Sequence, residues 1–315
     1  MKPLVAFVRL ARPKQWVKNI FVFTALIFAG RVNDLDAIVA TLLALAAFCL
    51  ASSSIYFLND FRDVEEDRRH PTKRRRPLAA GELPLWIAPL GAAAAAGAAL
   101  ALGFVALNPA TGIVIALYIV LNLAYSLGLK HVVILDVLLI ATGFVLRILA
   151  GAAALEVMPS TWLVLCAVTI SLFLGFTKRR AEVVLLGEKA REHRRVLAHY
   201  STGFLDQMIS IVTAATVVCY ALYTVDERTV ALVGSRLMIL SVPLVLYGIF
   251  RYLYLVYHWG ATDRDASGER AGSSGGDPTR TVFTDVPILI TGVLWGALCT
   301  VIILFGDSIR EAVRF

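Results

Sequence analysis

Charge is what this sequence has least of. Only 17% of its 315 residues are Asp, Glu, Lys or Arg, against 58% hydrophobic, and the mean hydropathy is +0.75. A soluble domain carries charge on about a quarter of its residues. A water-soluble globule is therefore excluded, and the apolar surplus must face lipid. The net charge of +7 then marks no nucleic-acid partner, because a chain this apolar offers no soluble basic surface. Cysteine is scarce too. Cys49, Cys166, Cys219 and Cys299 stand singly inside apolar runs, which excludes a thiolate metal centre or disulfide framework and leaves them as small packing residues. No small-residue cleavage site follows the N-terminal apolar stretch, so no cleaved signal is expected. Soluble domains and internal repeats are also missing.

What is present is a series of apolar runs, each close to the roughly 17–25 residues that cross a bilayer. They cover Trp16–Gly30, Ala37–Leu58, Leu85–Leu107, Ala110–Gly128, Val132–Leu155, Thr161–Phe176, Phe204–Thr224, Leu237–Tyr257 and Val286–Phe305. The first is short for a span. Asn108-Pro109 and Met158-Pro159 fall where tight turns are needed. The distribution of basic residues tests the count. With the N-terminus inside, successive inside segments hold five, seven, one, seven and four Lys or Arg, and the outside holds five. Arg147 lies within the fifth run. That bias predicts an all-α, polytopic bundle of nine transmembrane helices, a single domain over 1–315, with a cytoplasmic N-terminus in the inner (plasma) membrane. The inside loops cover about 59–84, 177–203 and 258–284. The second is charged and helix-forming, so a surface helix is expected. The third, rich in Gly, Ser and Asp, is expected to be a flexible tether.

The strongest chemical signal is N-D-F-R-D-V-E-E-D, Asn59 to Asp67, at the end of the second run. On a continuing helix Asn59, Asp63, Asp67 and Asp60 fall at roughly 0°, 40°, 80° and 100° around the axis. Four oxygen-bearing side chains thus share one face. Crowded carboxylates repel unless a cation sits among them, and hard oxygen ligands suit Mg²⁺, which keeps waters and binds substrate phosphates. The plainer reading is an acidic helix end neutralised by nearby arginines. A basic run follows directly, with Lys73, Arg74, Arg75 and Arg76 able to hold phosphate oxygens or to serve as a positive-inside flank.

A second polar set straddles the fourth and fifth runs: Asn122, Tyr125, Ser126, Lys130 and Asp136. Asn122 and Tyr125 lie on one helical face and point toward a shared cavity. Asp136 and Arg147 are ionisable residues within an apolar run, which makes them functional or mutually paired by default. Lys178, Arg179 and Glu182 close the sixth run, as interfacial anchors or as parts of a site.

These residues resemble a known family. N-D-x-x-D-x-x-x-D over Asn59, Asp60, Asp63 and Asp67 is similar to the first acidic motif of the UbiA superfamily of intramembrane prenyltransferases. A-R-P-K-Q-W-V-K-N (Ala11–Asn19), H-P-T-K-R-R-R-P-L-A-A-G (His70–Gly81), Y-S-L-G-L-K-H (Tyr125–His131), L-R-I-L-A-G (Leu146–Gly151) and K-R-R-A-E (Lys178–Glu182) resemble its phosphoribosyltransferase branch, which acts on decaprenyl phosphate. The likeness runs from about residue 10 to 185. The chain departs from the prenyl-transferring members in offering Tyr125, Lys130 and a lone Asp136 where a second acidic motif is usual. The resemblance implies Mg²⁺-dependent transfer of 5-phosphoribose from phosphoribosyl diphosphate (PRPP) to a polyprenyl phosphate, in arabinose-donor synthesis for a cell envelope. It implies Asp60, Asp63, Asp67, Tyr125 and Lys130 at the reacting groups, with Asn59 completing the metal set. Lys18, Asn19, Lys73, Arg74, Arg76, Asn122, Asp136, Arg147, Lys178 and Arg179 would bind substrate. An oligomer is compatible with it.

Residue chemistry alone leaves alternatives open. A prenyltransferase moving a prenyl group from prenyl diphosphate to an aromatic acceptor needs the same metal, diphosphate and apolar groove. A transporter would place ionisable groups near the midplane, whereas here only Asp136 and Arg147 go deep.

Overall fold

In a computed structural model, residues 2–70, 73–186, 195–262 and 284–313 are described, and among them every regular element is helical. In chain order these are α1 (Lys2–Leu10), a 3₁₀ segment (Pro13–Phe23) running into α2 (Thr24–Phe28), α3 (Leu35–Arg62), α4 (Val64–Arg69), α5 (Ile87–Ala101), α6 (Pro109–Leu127), α7 (Leu135–Ala154), α8 (Thr161–Leu186), α9 (Thr202–Val225), α10 (Glu227–Val233), α11 (Val242–Thr262) and α12 (Val286–Val313). Lipid cannot hydrogen-bond a backbone, so helices that satisfy their own amides are the form expected of spanning segments.

Among the described residues eight helices are long and apolar enough to cross a membrane, matching the second to ninth runs. The first run differs. It contains no long α-helix: an 11-residue 3₁₀ segment leads into a five-residue helix. Hydropathy reports how apolar a segment is, not which hydrogen-bond ladder it forms. The start of this one is set by Arg12 in the left-handed region (φ 54°, ψ 59°) and Pro13 at the first position.

Local chemistry starts several helices where they begin. Asp34 caps α3, its carboxylate accepting from the Ala37 amide at 3.1 Å. Asn108 caps α6 through the Thr111 amide at 2.9 Å, with Pro109 at the first position. Ser201 caps α9 through Phe204. Each side-chain oxygen replaces a partner that an initial amide cannot find in its own helix. The chain divides into two compact units, Met1–Leu129 with Thr142–Pro159, and Lys130–Ala141 with Ser160–Phe315.

In the first unit α5 buries Ala88, Ala92, Ala95 and Ala99, a stripe at helical spacing, and small residues let helix backbones approach closely in lipid. Phe48, Ile115, Tyr118, Leu146 and Val22 form its centre. The 3₁₀ segment lies against α7 at Gly151, where a Cβ would strike the Val22 carbonyl oxygen. In the second unit Val137, Phe173, Phe176, Val196, Leu205, Ile209 and Tyr252 make the core. Helix α8 runs ten residues beyond Phe176, so Lys178 to Glu182 continue the spanning helix itself. Residues 187–194 of the expected surface helix, and 263–283 of the expected tether, lie outside the described residues.

Candidate functional site

In the first unit α3 ends at Arg62. Asp63 is shared between the end of α3 and the start of α4. The helical register nevertheless continues, with the Asp63 amide donating to Asn59 and the Asp67 amide to Asp63. Of the residues predicted to share this face, Asp60 and Asp67 are brought together, through Arg76. Asp60 and Asp67 are 2% and 1% exposed, while Asn59 and Asp63 are half-buried.

The two buried carboxylates share a cation. Arg76 Nη1 donates to Asp67 Oδ2 at 2.6 Å and to Asp60 Oδ1 at 3.2 Å, and Arg12 also pairs with Asp60 Oδ1. Two carboxylates and two guanidinium groups make a neutral quartet. Asp67 Oδ1 is buried with no hydrogen-bond partner, and the Asp63 carboxylate makes no side-chain hydrogen bond or ion pair among the described residues. No group of three or more His, Cys, Asp or Glu there is drawn together around a metal position. The donor set still fits Mg²⁺. It offers hard carboxylate oxygens, one of them buried and unpartnered, and two carboxylates close enough to be bridged by one cationic nitrogen.

Arg12 was not among the residues that spacing singled out. It lies 48 positions from Asp60, and its one sequence signal is the R-P step inside the Ala11–Asn19 motif. Its left-handed backbone turns the chain sharply after α1. Ser53 lies against that turn, its hydroxyl accepting from Trp16 Nε1 at 3.0 Å and sharing its one proton between the Ala11 carbonyl at 2.9 Å and the Cys49 carbonyl of its own helix at 2.8 Å. The Arg12 guanidinium also lies over the Tyr56 ring, 4.9 Å from its centroid.

Farther along the same unit, Asn19 and Arg147 meet. Arg147 is 6% exposed. Its Nε donates to Asn19 Oδ1 at 2.8 Å, Nη1 to the Gly143 carbonyl at 2.6 Å and Nη2 to the Tyr118 hydroxyl at 3.0 Å. The fully buried Asn19 donates in turn to Ser52 and Cys49. The expected pairing of Arg147 with Asp136 is thus not found. Arg147 is matched by neutral acceptors and by the faces of Tyr118, Phe144 and Phe48, and no carboxylate among the described residues pairs with it. Arg62 Nη1 donates to the Ser126 carbonyl at 2.9 Å, bringing the end of α6, with Tyr125, beside the end of α3. Asn122 instead turns back on its own helix, donating to the Tyr118 carbonyl at 2.8 Å, so no shared cavity with Tyr125 is needed to satisfy it. Lys73 is half-buried and Arg74 exposed beside Arg76, and Lys18 is half-buried on the 3₁₀ segment.

In the second unit Asp136 is the hub. Arg179 Nε donates to its Oδ2 at 2.8 Å and Tyr200 to its Oδ1 at 2.7 Å. Asp136 and Arg179 are 0% and 2% exposed, so both side chains are committed to internal partners rather than facing open space. Arg179 also pairs with Glu182 at 2.5 Å. The Ile134 amide donates to the Tyr200 oxygen at 2.7 Å from a left-handed backbone (φ 69°), an uncommon place for a β-branched residue. Burial, and then the bond to Asp136, push the Tyr200 hydroxyl pKa upward. Lys130 and Lys178 are half-buried, with no side-chain hydrogen bond or ion pair among the described residues.

Residues 19–271 match the model of the UbiA prenyltransferase family. A decaprenyl-phosphate phosphoribosyltransferase of Corynebacterium glutamicum is 35% identical over 292 residues, which is 91% of this chain and 83% of that protein. A second one, from Mycolicibacterium smegmatis, is 40% identical over 69% of each chain. The fold is similar to that of a UbiA homologue from Archaeoglobus fulgidus solved with GPP and Mg²⁺, at a TM-score of 0.64 and 19% identity over 95% of this chain and 99% of that one.

Proposed function

Because this chain belongs to the UbiA prenyltransferase family, we propose that it transfers 5-phosphoribose from PRPP to decaprenyl phosphate or a similar long polyprenyl phosphate. Diphosphate is the other product, and the transfer serves arabinose-donor synthesis for a cell envelope. The observation that carries this reading is the identity of 35% to a phosphoribosyltransferase across 91% of the chain. The bond from ribose C1 to the diphosphate oxygen breaks, its electron pair leaving on the diphosphate. A phosphate oxygen of the acceptor bonds to C1. That acceptor is already anionic, so no strong general base is required.

The chain's own task is to bring two anions together. Asp60, Asp63 and Asp67, with Asn59, would hold Mg²⁺. When bound, the metal neutralises charge that builds on the departing diphosphate. Arg76, Lys73 and Arg74 stand beside this set and would take diphosphate oxygens, a geometry that guanidinium forks suit. Tyr125, beside the end of α3, would orient ribose or phosphate. Lys130 and Lys178 are assigned to the 5-phosphate and the acceptor phosphate. Asp136 and Arg179 hold the elements that carry those lysines. The charge bias supports a nine-crossing chain, counting the 3₁₀ segment with α2, in the plasma membrane with the N-terminus and the site toward the cytoplasm.

Purified protein in detergent, given radiolabelled PRPP, Mg²⁺ and decaprenyl phosphate, tests the reading. Label is expected in the lipid phase and is expected to vanish with EDTA or with Asp63→Asn. Absence of transfer from PRPP, together with turnover of prenyl diphosphate and an aromatic acid, would move the chain to the prenyl-transferring members.

A further inference from the structure

The two buried carboxylates of the acidic face are neutralised before any ligand arrives. Asp60 and Asp67 are buried, and a buried carboxylate without a counter-charge is costly. Arg76 and Arg12 meet that cost, Arg76 bridging both carboxylates and Arg12 taking the same Asp60 oxygen from the turn just before the 3₁₀ segment. The cationic nitrogen of Arg76 lies where a cation shared by these two residues would lie. Metal and arginine therefore compete for the same carboxylate oxygens. Asp63, half-buried and with no ion pair among the described residues, has no such competitor.

From this juxtaposition we infer that Arg12 and Arg76 are place-holding cations. They keep Asp60 and Asp67 closed to a free divalent ion and hand these carboxylates over only to a metal that arrives with a diphosphate, whose oxygens then take the guanidinium groups. Arg12 becomes a binding residue of the donor site in addition to those assigned above. The inference rests on the reading that the acidic face takes the metal of a diphosphate donor. It adds an order of events: metal and diphosphate enter together, Asp63 making the first contact.

Three features make Arg12 more than one of many basic residues near a membrane surface. Its backbone is held in the left-handed region, which a non-glycine residue adopts only where its surroundings hold it there. The Ser53 hydroxyl on α3 lies within hydrogen-bond reach of the Ala11 carbonyl immediately before it. Its guanidinium lies over Tyr56, one helical turn before Asp60. Arg68, by contrast, pairs with the exposed Glu65 on its own helix.

The test measures metal binding rather than turnover, and needs neither ribose nor lipid. Mn²⁺, a hard ion that accepts carboxylate ligands, is titrated into detergent-solubilised full-length protein and followed by electron paramagnetic resonance, with and without inorganic diphosphate. Wild type should bind Mn²⁺ weakly alone and much more tightly with diphosphate. Arg12→Ala should bind Mn²⁺ alone about tenfold more tightly, equivalent to ~1.4 kcal/mol, and should gain less from diphosphate. Arg76→Gln should move the same way, whereas Arg68→Ala should stay near wild type. Size-exclusion profiles establish that each variant is folded, and Arg12→Gln replaces Arg12→Ala if the latter aggregates. Diphosphate-enhanced binding in wild type with unchanged or weaker metal-only binding in both the Arg12 and Arg76 variants overturns the inference and leaves the metal–diphosphate reading standing. No enhancement by diphosphate in wild type overturns both.

Discussion

Replacing Arg147 by Met separates what this residue does for the fold from what it does for the reaction. The side chain is buried past the middle of α7 and makes three hydrogen bonds, to Asn19, Gly143 and Tyr118. Within a membrane such bonds average ~0.6 kcal/mol each, because the unfolded but inserted chain also finds partners. Losing all three costs about 2 kcal/mol. Against this, burying the guanidinium in the folded interior, out of reach of the water and headgroups it finds in an unfolded micellar chain, carries a desolvation cost that its bonds largely offset, so apolar replacement of such groups is often neutral, and Met removes that cost while keeping most of the volume. The terms nearly cancel, so Arg147→Met should unfold in mixed dodecylmaltoside–SDS micelles within about 1 kcal/mol of wild type. Activity should behave differently. Arg147 fixes Asn19, hence the 3₁₀ segment, hence Arg12 and Lys18, and a misplacement of about 1 Å near reacting groups costs on the order of 100-fold. The expected result is a folded protein with transfer reduced by about two orders of magnitude. A variant destabilised by more than about 3 kcal/mol, or one that is stable and fully active, would refute the reasoning. The first would show that the polar network is kept for stability, and the second that the 3₁₀ segment does not position the site.

Three other outcomes follow from particular contacts. Gly151→Ala places a methyl group against the Val22 carbonyl. Overpacking of this kind costs about 1–3 kcal/mol, so a lower thermal midpoint in detergent is expected, together with reduced activity from a displaced 3₁₀ segment. Asp63→Asn removes a half-buried carboxylate with no ion pair among the described residues, so the SDS unfolding midpoint should hold while transfer falls at least about 100-fold if Asp63 holds the metal. Tyr200 has its hydroxyl pKa raised above the ordinary 10.0 by burial and by the bond to Asp136. The contribution of its neutral form is complete below about pH 10, the ordinary tyrosine value, and is lost as pH rises from there through the raised value. Wild type should therefore lose stability in the alkaline range, and Tyr200→Phe should show a shallower loss, from a starting point about 1 kcal/mol lower for the missing hydrogen bond.

How much of this was legible in the sequence depends on the range over which each cause acts. Eight spans could be read because burial in lipid demands about 20 apolar residues in a row, a strictly local requirement. The acidic face could be read for the same reason, since helical angles follow from spacing alone, and the two residues predicted side by side, Asp60 and Asp67, are the two that share Arg76. The sixth apolar run ends ten residues before α8 does, because hydropathy marks where apolar residues stop, while the backbone ladder carries on through T-K-R-R-A-E. Pairings between distant segments carry no local trace. The acidic partner of Arg179 lies 43 positions away, and Arg147, which looked like the natural mate of Asp136, turns to Asn19 at a separation of 128. An ionisable residue inside an apolar run must be partnered, and both are. Only the identity of each partner needed the fold.

The site's electrostatics carry this further. Considered alone, the sequence from Asn59 to Asp67 is a cluster of negative charge seeking a cation, and it suggested a metal. The folded chain answers that demand twice over, with Arg76 from the basic run just beyond the cluster and Arg12 from the turn after α1. The plainer reading, an acidic helix end neutralised by arginines, and the metal reading are therefore not rivals. A carboxylate pair neutralised by mobile guanidinium groups can remain folded and buried with no metal bound, and can still accept one when a diphosphate offers those guanidinium groups something better. A rigid, permanently charged cage would have to be stabilised by something else whenever substrate is absent. Placing one of the two cations at the head of a 3₁₀ segment, whose position depends on Ser53, Asn19, Arg147 and the bare backbone of Gly151, links the acidic face to a polar network deep in the first unit. That link explains why residues so far from Asp60 in the chain should matter to the same reaction.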